Sequence, residues 1–74
     1  MVYENINKLV GKMAENGFTR KALAEALGIT EITLRRKMFD ADAEFNTSEI
    51  LQIKELLNLT DAEFNLIFFN IDLN

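Results

Sequence analysis

Five of the chain's eight cations, Arg20, Lys21, Arg35, Arg36 and Lys37, fall between positions 20 and 37. Only Glu25 and Glu31 oppose them there, a net of +3, while the rest of the chain sets ten carboxylates against Lys8, Lys12 and Lys54, a net of −7. A guanidinium carries a rigid fork of donors that matches phosphate or the edge of a guanine, and an ammonium is a point charge suited to phosphate. The chemistry on offer is therefore anion binding by a local patch on a body that is otherwise acidic.

Catalytic chemistry has little to work with. There is no His and no Cys, which removes the commonest general base, the commonest metal ligand and any thiolate site. Scattered carboxylates without a nucleophile beside a base do not read as an enzyme. The run "DADAE" at 40–44 opens with calcium-loop spacing, yet Phe45 stands where the loop needs Gly and Leu51 where it needs a bidentate Glu. It reads as a solvated acidic turn. The six Phe read mostly as core and not as base-stacking platforms. No cofactor is expected. Seventy-four residues make one domain, 1–74, with a small core. The polar start "MVYENINK" is not a signal peptide, and no apolar run approaches a membrane span, so a cytoplasmic protein is expected.

The elements that hold the cations follow from periodicity and caps. Val2, Ile6, Leu9, Val10 and Met13 recur at helical spacing and predict a first helix over about 2–15, stopped at "ENG" by Gly17. Gly11 inside it weakens it slightly or marks a close approach. Thr19 caps a second helix that buries Leu23, Ala24 and Leu27. Gly28 breaks it, Ile29 turns inward and Thr30 caps a third helix, about 31–38, with Leu34 and Met38 on its inner face. "FDADAEF" at 39–45 is a loop. "NTSE" at 46–49 and "TDAE" at 60–63 are capping boxes. They start helices over about 47–58, burying Ile50, Ile53 and Leu57, and about 61–69, burying Phe64, Ile67 and Phe68. No strand alternation or repeat interrupts this, and the fold class is all-α, five short helices in one compact domain.

Residues 19–38 thus combine a small residue for close helix approach, Ala24, with a sharp turn at Gly28 and apolar anchors on both sides. That is a helix-turn-helix, whose second helix enters the DNA major groove. "FTRKALAEALGITEITLRRKM" resembles the helix-turn-helix of phage Cro and phage repressors, the XRE-like superfamily, and most closely the small Cro-like phage regulators of Gram-positive bacteria. The resemblance runs on through "EFNTSEILQIKELLNLTDAEFNLIFF". It implies a five-helix Cro/repressor-like domain, encoded by a phage or prophage and acting in the bacterial cytoplasm. Its base-facing positions match Glu31, Ile32, Arg35 and Arg36, with Thr30 and Thr33 beside them. Where the family often has a phosphate-binding Gln, this chain has Arg20, which also suits phosphate. The acidic "DADAE" replaces a loop that usually carries Gly, Asn or Lys.

The chemistry fits base reading. Arg35 or Arg36 can bond guanine O6 and N7, Glu31 can accept from cytosine N4, and Ile32 or a Thr methyl can touch a thymine methyl. Arg20, Lys21 and Lys37 suit phosphate. The leading expectation is a DNA-binding transcriptional regulator, a Cro-like repressor acting as a homodimer on double-stranded operator DNA. The alternative is an anti-repressor or modulator that keeps the helix-turn-helix fold but binds a partner repressor protein, as an acidic body suits. In either case Leu66, Phe69, Ile71 and Leu73 are expected to form an apolar contact patch.

Overall fold

In the computed structural model, residues 2–72 are described, and each helix in them starts or stops for a local chemical reason. The chain forms α1 (Ile6–Glu15), α2 (Arg20–Leu27), α3 (Glu31–Phe39), α4 (Thr47–Leu56) and α5 (Asp61–Phe69), with no strand among the described residues. Thr19, Thr30, Asn46 and Thr60 each accept a backbone N–H of the first turn that follows. Both expected capping boxes close: Glu49 and Glu63 reach back to the N–H groups of Asn46 and Thr60, each at 2.9 Å.

Three helices end in the same way. Gly28 sits at φ +73°, and Gly28 and Ile29 N–H groups bond back to the Glu25 and Ala24 carbonyls at 3.1 and 3.0 Å. This pair of bonds is a Schellman cap, which needs a left-handed residue and turns the chain sharply. Gly17, at φ +73°, ends α1 by the same pattern, with bonds to Ala14 and Met13. Asn58, at φ +52°, ends α4 with bonds to Glu55 and Lys54.

Leu9, Leu23, Leu34, Met38, Ile53, Leu57 and Ile67 are fully enclosed, so every helix contributes to one core. An aromatic group closes one side of it: the Tyr3, Phe45 and Phe68 rings lie 5.7–5.9 Å apart, and the Phe45 N–H donates to Tyr3 Oη at 2.9 Å. This contact explains why α1 begins at Ile6 and not near residue 2. Tyr3 leaves the helical path and packs inward, and Asn5 spends its side chain on the Leu66 carbonyl and Asn70 Oδ1, at 3.1 and 2.8 Å. Val2 and Val10, expected on the apolar face, remain exposed. Phe64 is half-buried beside Phe68.

Candidate nucleic-acid interface

The outer face of α3 is defined by what its inner face must bury. Leu34 and Met38, one turn apart, are sealed in the core, and Ala24 of the preceding helix is buried with them. With that side fixed, Glu31, Ile32, Arg35 and Arg36 are left exposed on the same nine-residue helix. Ile32 is the extreme case at 75% exposure. No hydrogen bond or ion pair holds the Arg35 guanidinium among the described residues.

Arg36 is in a different state. Its Nε lies 3.4 Å from Asp40 Oδ2 and its Nη2 3.5 Å from Asp42 Oδ2. The acidic loop that follows α3 therefore leans on the outer face of that helix and partly neutralises it. Lys37 is directed toward α4. Its ammonium lies 2.7 and 2.8 Å from the two carboxylate oxygens of Glu49, which is buried at the start of α4. Sequence reasoning places Lys37 among the phosphate-binding cations; here two of its three N–H donors go to Glu49, and the side chain is 20% exposed.

The threonines also divide. Thr30 Oγ1 accepts the Thr33 N–H at 3.1 Å and donates to Thr33 Oγ1 at 2.8 Å, so its hydroxyl serves the helix start. Thr33 keeps its own hydroxyl hydrogen for an outside acceptor. Arg20 and Lys21 are exposed in the first turn of α2, where no carboxylate accompanies them. Cations there oppose the helix dipole, so local helix stability does not explain them. Together with the unbonded N–H groups of that turn they make a positive site suited to a phosphate.

The expected contact patch is only partly exposed. Phe69 and Ile71 are about half open to solvent, at 48% and 47%, whereas Leu66 is half-buried and its carbonyl accepts from Asn5. Leu73 lies outside the described residues. Phe39, at the end of α3, is a further exposed ring that the periodicity did not single out.

No protein-family model matches the chain, and no curated protein sequence matches it. No helix among the described residues is long and apolar enough to cross a membrane.

Proposed function

We propose that the chain is a sequence-specific DNA-binding regulator of the phage Cro/repressor type, reading operator duplex with α3 as a symmetric dimer in the bacterial cytoplasm. The observation that carries this reading is the outer face of α3, where exposed Glu31, uncovered Ile32 and unpaired Arg35 project beside one another from a helix anchored by Leu34 and Met38. Acceptor, apolar and forked donor groups are the three kinds needed to tell base edges apart in a major groove. Arg20 and Lys21, at the start of α2, add the phosphate contacts that fix register. The resemblance of residues 18–38 to Cro-type helix-turn-helix sequences supports the same reading.

A second reading has its own observation. Asp40 and Asp42 already occupy Arg36, and the body outside the motif is strongly acidic. Both features suit a modulator that docks on a basic repressor surface. Selection of duplexes from a random library tests the first reading, and it predicts enrichment of one short, two-fold-related sequence. A gel shift on the selected duplex, with and without an added phage repressor protein, separates the two. No enrichment, or a shift only through the repressor, overturns direct DNA reading.

A further inference from the structure

We infer that the Lys37–Glu49 ion pair sets the sequence discrimination of α3 without touching DNA, an inference that rests on the DNA-reading assignment of that helix. The Glu49 carboxylate is immobilised from several sides. Its Oε1 accepts the Asn46 N–H at 2.9 Å, its own N–H donates to Asn46 Oδ1 at 2.8 Å, and the side chain is only 6% exposed. The capping box thus aims a buried carboxylate at one spot, and the Lys37 ammonium sits at that spot on both oxygens. Among the described residues this is the sole ion pair between α3 and another helix.

Its place at the end of α3 gives it leverage. The start of α3 is held by the Gly28 turn and the Thr30 cap. At its other end Met38 is buried and Arg36 pairs only with the loop that follows, so Lys37 is the polar tie from the last turn to another helix. A nine-residue helix spans about 13 Å, so a tilt of about 10° about its start moves that turn by about 2 Å. A bidentate fork on a base edge tolerates only a few tenths of an ångström. Lys37 directly follows Arg36 and stands two residues from Arg35, so the pair controls where both forks arrive. Withdrawing Lys37 also leaves a buried carboxylate without its cation, which makes the restraint stiff.

The test uses the full chain as Lys37→Met, which keeps the stem and removes the charge, Glu49→Gln, which keeps the capping box, and Lys37→Arg, which keeps the pairing. In the free proteins, residual dipolar couplings report the orientation of α3 against α1, α4 and α5. The inference expects α3 to reorient in Lys37→Met and Glu49→Gln and to return in Lys37→Arg; unchanged couplings in the first two overturn it. On DNA, binding to a selected duplex and to a scrambled one is compared over a salt series. Lys37→Met is expected to lose about tenfold in discrimination, the equivalent of roughly one base contact, with its salt slope unchanged. Equal loss on both duplexes with a slope reduced by about 1 identifies a phosphate contact and overturns the inference. A wild-type chain that shows no sequence preference removes the proposed function, and the dipolar couplings still decide the restraint.

Discussion

Arg36 Nε lies 3.4 Å from Asp40 Oδ2, one helical turn further on, so this cation already has a partner within the chain. Asp42 adds a second carboxylate at 3.5 Å. Under the proposed DNA-reading function, duplex phosphates must compete with both carboxylates for Arg36. Asp40→Asn with Asp42→Asn is therefore expected to raise affinity for random-sequence duplex severalfold, in line with exposed pairs worth up to about 1 kcal/mol. The dependence of log K on log salt should steepen by about 1 as Arg36 is released to phosphate. Filter binding over a salt series measures both, and an unchanged affinity would mean that the loop faces away from the duplex.

Arg35 and Arg36 should not respond alike to truncation. Arg35 has no partner to lose among the described residues, so Arg35→Ala is expected to cost about 1–3 kcal/mol of discrimination and nothing measurable in stability. Arg36→Ala removes a cation already partly paired with Asp40 and Asp42 and should cost less on the same duplex. Competition binding against single-base variants resolves the two.

Phe69 and Ile71 are the exposed part of the C-terminal apolar patch, whereas Leu66 is half-buried. Phe69→Ser with Ile71→Ser should therefore leave a folded chain that sediments as a monomer and binds a two-fold operator weakly. Such an operator needs recognition helices about 34 Å apart. A wild-type chain that is monomeric at high concentration rules out the homodimer.

Stability should fall at both ends of the pH range. Burial pushes the Tyr3 phenol above its ordinary 10.0, although the Phe45 N–H works against the shift. The stability this lends is complete below pH 10 and is lost as pH rises through the folded value. Glu63 is held below its ordinary 4.5, first by the Thr60 N–H and also by Lys12. Its contribution is complete above pH 4.5 and is lost as pH falls through the folded value. In urea titrations, Glu63→Gln should flatten the acid limb. Tyr3→Phe should flatten the alkaline limb and cost about 1–3 kcal/mol at neutral pH, because the buried Phe45 N–H loses its acceptor.

The features legible in the sequence are those set by neighbouring residues. Four cap residues, two capping boxes and the left-handed turn at Gly28 are local chemistry, and the burial of Leu34 and Met38 follows from period alone. What escaped depends on distant partners. Tyr3 and Phe45 are buried outside any helix because they meet each other across 42 residues. Asn58 and Asn70 take the left-handed role after α4 and α5 that glycine fills after α1 and α2, as Asn tolerates. Lys37 looks like its two neighbours in sequence, and only the position of Glu49 turns it inward. The signal for Glu49 was partly present, since a capping-box Glu is placed by its helix, but its second partner was not.

The most direct test of the central claim is chemical-shift mapping of the labelled chain titrated with a selected duplex. The account predicts perturbations concentrated at residues 19–21 and 30–36, with the Lys37 ammonium still paired to Glu49. Perturbations centred on the Phe69 and Ile71 patch, or none at the start of α2 and the outer face of α3, would contradict it.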